Sequence, residues 1–221
     1  MCVVRHRLDH TQRLVVQAIV LRVCFILGNL TEGSDECRAR IARDAGAVPT
    51  VHRLLALFLG AARDRIEGDG KAPDVADVVD TLAKGVRIVA HLAIDPAIGG
   101  DICARPDVVV LLDILGALPP CARASASLAV HRPSLLPSSR AEAAASWVRY
   151  SELLLNAVSA VTNLSYHSSL RSGAAARGGA GGGGDVLEVQ APRIARALVP
   201  LLVHDSTDVV RAAASVCIPP S

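Results

Sequence analysis

Three stretches of the chain repeat a helical pattern of apolar positions. Within each stretch, apolar residues recur at steps of three and four, which is the spacing of one face of an amphipathic helix. Each pattern predicts a helix that turns this face towards a core. The stripes are Val16, Val20, Val23, Leu27 and Leu30; then Val79, Leu82, Val86, Val89 and Ala93; then Leu154, Ala157, Val161 and Leu164.

A second, more polar stripe runs beside the apolar one in each stretch. Its members also step by three and four, so each set lies on one helix face. We expect these faces to form the outer surface of the three helices. The sets are Arg22, Phe25 and Asn29; Asp80, Lys84, Arg87 and His91; and Glu152, Asn156, Ser159 and Asn163.

The same three helices align on a short motif, a polar residue followed by Leu and a small residue. The aligned segments are RVCFILGNLT (22–31), KGVRIVAHLA (84–93) and NAVSAVTNLS (156–165). RAAASVCIPP (211–220) begins in the same way and then departs from the pattern. Both Asn29-Leu-Thr and Asn163-Leu-Ser fit a glycosylation acceptor, but the N-terminus has no apolar signal-peptide region. The repeat itself therefore favours a structural origin for the motif.

Shorter helical patterns lie between these helices and come in pairs. Residues 34–60 predict two helices broken at Gly46 to Pro49, with Ser34 as the N-cap. Residues 96–118 repeat this plan around Arg105-Pro106, and residues 186–205 repeat it around Ala191-Pro192. The predicted unit is a short helix, a sharp break, a second helix, a connection and a longer helix.

These units predict one repeat domain over residues 10–218. The first unit contributes its third helix (10–31), followed by a second unit (34–95), a third unit (96–168) and a partial fourth unit (186–218). Polar, Ala/Ser/Pro-rich and Gly/Ala-rich compositions cannot supply a packed core. They predict an insertion at 61–74 in the second unit, another at 119–146 in the third, and a low-complexity linker at 171–185.

This unit, with AGAVPTVHRLL (45–55) beside it, resembles the armadillo repeat. The resemblance implies an all-α fold, a right-handed superhelical solenoid of about three to four repeats. We expect it to be incomplete at both ends. The chain starts just before a third helix, and Pro219 and Pro220 stand where Leu and a small residue should follow. Both features suggest a fragment of a longer protein.

The resemblance also implies a function. FILGNLT, LAIDPAIGGDICARPDVVVLLDIL and LLLNAVSAVTNLSYHSS are similar to the central part of an armadillo family associated with motile cilia and flagella. That family implies a cytoplasmic or ciliary adaptor for axonemal components such as radial spokes. The alternative is a cargo receptor of the importin type, whose groove carries an Asn ladder and aromatic walls. Asn29, His91 and Asn163 take the ladder positions, but the aromatic positions hold Phe25, Arg87 and Ser159. This departure disfavours the alternative.

Composition agrees with a helical interaction protein. The 221 residues are 51% hydrophobic but only 2% aromatic, and the net charge of +2 gives no concentrated basic face for nucleic acid. Gln17, Arg22 and Asn29 interrupt the longest apolar stretch, so we expect no membrane span. The six cysteines lack metal-ligand spacing. No catalytic or phosphate-binding motif occurs, so we expect no enzyme, cofactor, metal or small-molecule substrate.

We therefore predict a protein partner bound on the concave face of the long helices. Two readings stay open for Asn29 and Asn163, which either contact the partner or bond only to backbone within the chain. Arg22 and Arg87 are typical of a solvated face, and His91 of a hydrogen bond to a neighbouring helix. The predicted partner-binding residues are Arg22, Phe25, Asn29, Lys84, Arg87, His91, Asn156 and Asn163.

Overall fold

The structure is a computed structural model. It describes residues 10–67, 73–117, 140–175, 186–204 and 206–217, and these segments form helices joined by short turns. Ten α-helices and two 3-10 helices lie in the described residues. The α-helices are α1 (His10–Gly33), α2 (Asp35–Arg43), α3 (Ala47–Glu67), α4 (Pro73–Leu92), α5 (Pro96–Cys103), α6 (Val110–Ala117), α7 (Arg140–Ala175), α8 (Val186–Val189), α9 (Ala191–Leu198) and α10 (Thr207–Cys217). The 3-10 helices are Pro106–Val109 and Val199–Val203.

The long helices form one layer in which α1, α4 and α7 run parallel. A Cβ on Gly28 of α1 would lie 3.7 Å from Arg87 Cδ of α4. Asn156 and Asn163 of α7 bond the carbonyls of Ala83 and Ala90 on α4 in the same order along both helices. On the far side of α7, Thr162 Oγ1 lies 3.2 Å from the Ala212 carbonyl of α10. The long helices and α10 therefore lie side by side in the order α1, α4, α7 and α10.

The shorter helices cover the other side of this layer. Helix α3 packs on α4, while α5 and α6 pack on α7, and α3 also touches α6. The core between them is almost wholly aliphatic, which explains how a chain with few aromatic residues buries so much surface. Its largest fully buried side chains are Leu55, Leu82, Ile88, Leu92, Ile102, Leu111, Leu112, Ile114, Leu115, Leu153, Leu154 and Leu164.

The predicted helix breaks are present. Ser34 caps α2, because its Oγ accepts a hydrogen bond from the Cys37 backbone N–H at 3.2 Å, which confirms the prediction. The chain leaves α2 after Arg43 and starts α3 at Ala47, so Pro49 lies inside the first turn of α3. Proline is tolerated there because the first N–H groups of a helix have no carbonyl to bond. The predicted break at Gly46 to Pro49 is therefore shorter than expected.

The apolar stripes of α4 and α7 are buried as predicted, whereas in the stripe of α1 only Val20 and Leu27 pack against the core, and both are partly buried. Every member of the α4 and α7 stripes is at most 3% exposed. On α1, by contrast, Val16, Val23 and Leu30 are 46% to 47% exposed, and Cys24 and Thr31 are buried instead. Helix α1 contacts α4 on one side only, and among the described residues no helix covers its other side. Periodicity identified the helix but not which apolar face has a neighbour.

Helices also reach into the predicted insertions. Helix α3 continues to Glu67, α4 begins at Pro73, α7 begins at Arg140, and α7 ends at Ala175. The helical parts therefore extend into the ranges 61–74, 119–146 and 171–185, because polar and Ala-rich residues can continue an existing helix. The remaining parts of these predictions, together with residues 218–221, lie outside the described residues.

Helix α1 contains a long apolar stretch. Its stretch Leu14–Gly33 is long and apolar enough to cross a membrane, and 17% of it is buried. A single helix of this kind is weak support for a span, since packed helices pass the same test. Arg22 lies close to the middle of the stretch, where a charge is costly in a bilayer. No membrane span is indicated.

Candidate partner-binding surface

Three members of the polar stripes lie in a row across the layer: Phe25 of α1, Lys84 of α4 and Glu152 of α7. Lys84 on α4 forms an ion pair with Glu152 on α7. Its ammonium also lies 6.0 Å from the ring centroid of Phe25 on α1, at the outer limit of a cation–π contact. Phe25 itself is 49% exposed. The row therefore places one exposed aromatic ring beside a cation whose charge Glu152 neutralises.

Further ion pairs tie the same surface together. Arg87 of α4 pairs with Glu32 at the end of α1. Arg149 of α7 pairs with Asp80 of α4 at 3.3 Å. Burial raises the pKa of Asp80, and the negative charge of Glu152 raises it further, while Arg149 and Lys84 oppose the shift. Because these side chains are partly exposed, each pair contributes only modestly to stability, about 0–1 kcal/mol.

The C-terminal end of α4 shows why polar side chains recur at the motif. The last four carbonyls of a helix lack partners within it. Val89 O accepts from the N–H of Ala93, and the carbonyls of His91 and Leu92 accept from Ile94 and Asp95. Side chains of α7 bond the carbonyl of Ala90 and that of Ala93, which follows the helix. Asn163 Nδ2 donates to Ala90 O at 3.0 Å, and His167 Nε2 lies 2.8 Å from Ala93 O.

The end of α1 is satisfied in a similar way by α4 and α2. His91 Nδ1 lies 3.1 Å from the carbonyl of Gly28 and 3.3 Å from Thr31 Oγ1. The buried Arg38 of α2 donates from Nη1 to the Thr31 carbonyl at 2.5 Å. Burial lowers the pKa of His91, Arg87 lowers it further, and the Gly28 carbonyl and Glu32 oppose them. This result confirms the prediction that His91 bonds a neighbouring helix.

The hydrogen bonds of His91 and Asn163 are equivalent in the repeat. In the segment alignment His91 corresponds to Asn163, and Gly28 corresponds to Ala90. Each polar side chain therefore bonds the same carbonyl position of the preceding long helix. Asn29 is the equivalent residue of α1, where no preceding helix is described, and it is exposed without a hydrogen bond among the described residues.

The eight predicted residues consequently fall into two groups. Arg22, Phe25 and Asn29 are exposed on α1. The other five are partly buried and bonded within the chain: Lys84 and Arg87 in ion pairs, and His91, Asn156 and Asn163 to backbone carbonyls. Six of the eight form an ion pair, ring contact or hydrogen bond between the contacting helices α1, α4 and α7, whereas Arg22 and Asn29 form none among the described residues. Their contact with a partner stays a prediction.

Sequence reasoning missed some members of this surface. Glu32, Asp80, Glu152 and Arg149 complete its ion pairs but were not named as site residues. A signal was available for two of them, since Asp80 and Glu152 belong to the polar stripes. Glu32 follows the motif in a turn-like sequence, and only the parallel packing of α1 on α4 brings it to Arg87. Within the described residues no group of three or more His, Cys, Asp or Glu side chains could hold a metal ion.

The parallel layer of long helices, each preceded by shorter helices that pack behind it, is consistent with an armadillo-type helical fold. The chain is similar to proteins named Armadillo repeat-containing protein 2. Identity is 37% over 102 residues with that of Bos taurus, 37% over 97 residues with that of Mus musculus, and 32% over 103 residues with that of Homo sapiens.

These alignments are partial. Each covers 43% of this chain and only 11% to 12% of the relative. No protein-family model matches the chain, and no solved structure matches it. The similarity confirms the resemblance that the sequence motifs suggested, and it supports a protein-interaction scaffold.

Proposed function

We propose that this chain is a non-enzymatic scaffold that binds another protein on the outer surface of α1, α4 and α7. The observation that carries the proposal is the rigid layer beneath that surface. Side chains of α4 and α7 bond the carbonyls of the preceding helix, and ion pairs join the outer positions. A surface held in this way keeps its shape without a ligand, which lowers the entropic cost of binding.

Within this surface we assign the direct contacts to α1. Arg22, Phe25 and Asn29 have no hydrogen bond or ion pair to give up among the described residues, whereas the other five residues are already bonded. Arginine is enriched among the residues that dominate binding energy, and aromatic side chains such as Phe are enriched in protein interfaces. Lys84, Arg87, His91, Asn156 and Asn163 then act mainly by fixing the surface.

The similarity to Armadillo repeat-containing protein 2 supports a finer proposal. We propose that the scaffold acts in assembly or transport of axonemal components, such as radial spokes, in the cytoplasm or the cilium. We also propose a right-handed superhelix of three to four repeats, on the strength of the armadillo resemblance. The importin-type alternative is supported less, because Asn156 and Asn163 already bond to carbonyls and Phe25 is the one aromatic residue at an aromatic-wall position.

The test is partner capture by an α1 surface variant. Replacing Arg22, Phe25 and Asn29 together by Ala should reduce capture of radial-spoke proteins from an axonemal extract, with helicity unchanged by circular dichroism. The matched control replaces Arg43 and Leu57, an exposed arginine and an exposed apolar residue of α2 and α3. Equal capture by the α1 variant and the wild type would remove α1 from the binding surface. Measurable affinity for a basic localisation peptide would favour the importin-type alternative.

A further inference from the structure

An open groove of about 540 Å³ lies between α3 on one side and the 3-10 helix Pro106–Val109 with α6 on the other. One wall is a face of α3 on which Arg53, Ala56, Gly60 and Arg63 follow each other at steps of three and four. The other wall contains Arg105 and Asp107 near the 3-10 helix and Asp113 in α6. The groove therefore has an arginine towards each end of its α3 wall and small residues between them.

Two of the arginines have no acidic partner among the side chains that the structure describes. Arg53 and Arg63 are exposed, and in the part of the chain that the structure describes neither forms an ion pair. A Cβ on Gly60 would meet no atom within 4 Å, so the space between them is open. This wall offers two guanidinium groups and a clear path along the helix.

The acidic residues of the opposite wall are already occupied. Both carboxylate oxygens of Asp107 bond Arg105, at 3.1 and 3.0 Å. His52, whose side chain is only 1% exposed, places Nδ1 2.9 Å from Asp107 Oδ1. Burial would raise the pKa of Asp107, but the bonds from Arg105 and His52 outweigh it and hold that pKa below its usual value. Asp107 thus stays ionised, and its carboxylate is engaged by Arg105.

Asp113 is held in the same manner. Its Oδ1 accepts from Arg193 Nη2 of α9 at 2.5 Å. Arg193 does not line the groove. Its positive charge therefore neutralises the negative charge of Asp113 from outside the groove. With Arg105 matched to Asp107 and Asp113 matched to Arg193, the groove keeps two positive charges, those of Arg53 and Arg63.

We propose that this groove binds an extended acidic segment of a partner protein, with one carboxylate on Arg53 and another on Arg63. Ten helical residues separate the two arginines, a distance of about 15 Å along α3. An extended peptide covers about 13 Å in four residues, so carboxylates four positions apart reach both guanidinium groups. Small residues between them fit over Ala56 and Gly60. An arginine side chain favours this ligand because its planar fork matches a carboxylate.

This groove goes beyond the proposed scaffold surface and is independent of it. The probe is a nine-residue Gly/Ser peptide with two glutamates four positions apart, titrated into the ¹⁵N-labelled full chain at low salt. We expect amide shifts in α3 and in the 3-10 helix and α6, which form the two walls. Added salt should weaken the binding because the arginines are exposed. A peptide with the same two glutamates side by side should bind more weakly.

Variants then separate the groove from general attraction of acid to base. Arg53→Ala and Arg63→Ala should each weaken binding about three- to tenfold, since a charge-assisted contact at a partly exposed site contributes on this order. Gly60→Leu keeps both charges but fills the path, and it should also weaken binding. Arg43→Ala and Arg196→Ala remove exposed arginines outside the groove and serve as matched controls.

Several results would overturn the proposal. They include equal binding of the two peptides, unchanged affinity in both Arg53→Ala and Arg63→Ala, and shifts confined to residues outside the two walls. Displacement of the peptide by a short RNA at lower concentration would also overturn it, because that behaviour indicates a general polyanion surface. Loss of binding in the Arg43→Ala or Arg196→Ala control would place the peptide outside the groove.

Discussion

Helices α1 and α4 are equivalent in the repeat, but only α4 is enclosed. Leu92 and Leu30 occupy the same aligned position, and they are 1% and 47% exposed. Val86 and Cys24 are aligned too, and both are buried, because this face meets the neighbouring helices in each case. The pattern within a helix therefore determines which residues can pack, and the neighbours determine which of them do.

The two helices also differ in the polar residue of the motif. His91 of α4 bonds the end of α1, whereas Asn29 of α1 is exposed with no bond among the described residues. The same sequence position thus has a structural role in one helix and an available amide in the other. Three pairs of matched substitutions and one pH series can break or sharpen this comparison.

The largest difference is expected between Leu92→Ala and Leu30→Ala. Removing the buried Leu92 side chain should lower the free energy of unfolding by about 2–5 kcal/mol, since it leaves a cavity between packed helices. Removing Leu30 should cost less than about 1 kcal/mol because half of its surface is already in water. Urea denaturation of both variants measures the difference. Equal losses would mean that the outer face of α1 is covered in solution.

A second comparison puts the α1 residue into α4. Gly85 is aligned with Val23, and a Cβ at Gly85 would lie 2.8 Å from Cδ2 of the buried Leu55. Gly85→Val should therefore destabilise the chain by about 1–3 kcal/mol through overpacking. Gly28→Ala is the control, because its Cβ would meet Arg87 Cδ at an ordinary 3.7 Å. That change should be neutral or stabilising by up to about 1 kcal/mol. Thermal unfolding of both variants decides the point.

The third comparison concerns the motif itself. Asn163→Ala removes the hydrogen bond to the Ala90 carbonyl and should cost about 1 kcal/mol in urea denaturation. Asn29→Ala should leave stability unchanged, since its side chain is exposed and unbonded in the described chain. If Asn29 contacts a partner, Asn29→Ala should reduce partner capture and leave stability unchanged. A stability loss for Asn29→Ala comparable to that of Asn163→Ala would contradict the assignment of the two roles.

The smallest effect is expected from pH. Because the pKa of His91 is lowered in the folded chain, the unfolded chain takes up its proton first as pH falls through about 6.5. Stability due to this residue is therefore full at neutral pH and declines towards pH 5. His91→Asn copies the aligned residue of α7 and should flatten that decline. His52, whose pKa burial also lowers, remains in both proteins as a common background. Unfolding midpoints at pH 5, 6 and 7 provide the measurement.

Most of the helical plan could be predicted from sequence because its signals are local. The steps of three and four in α4 and α7, the cap at Ser34 and the breaks between paired helices all depend on residues close together in the chain. The buried face of α1 could not be predicted, because Cys24 and Thr31 are buried through contact with α4, about 60 residues away.

The candidate surface was predictable to a similar extent. The polar stripes located Phe25, Lys84 and Asn163 on outer faces, but not their partners. Pairing Lys84 with Glu152 and Asn163 with Ala90 depends on the register between two helices. No short-range pattern carries that register. The groove beside α3 was not predicted for the same reason. The wall opposite Arg53 and Arg63 is formed by residues at the 3-10 helix Pro106–Val109 and in α6, which are distant in sequence.

The two asparagines of α7 have a mechanical consequence. Asn156 and Asn163 are seven residues apart, as are the carbonyls of Ala83 and Ala90 that they bond. The two hydrogen bonds lie about 10 Å apart along the helix axis, and a shift of α7 along α4 would break both at once. They therefore resist sliding of one helix past the other. Under a pulling force along the layer, we expect α4 and α7 to move together. Helix α1 is joined to α4 by packing, by the Arg87–Glu32 ion pair and by His91. Without a pair of hydrogen bonds of this kind, we expect α1 to separate before α7 does.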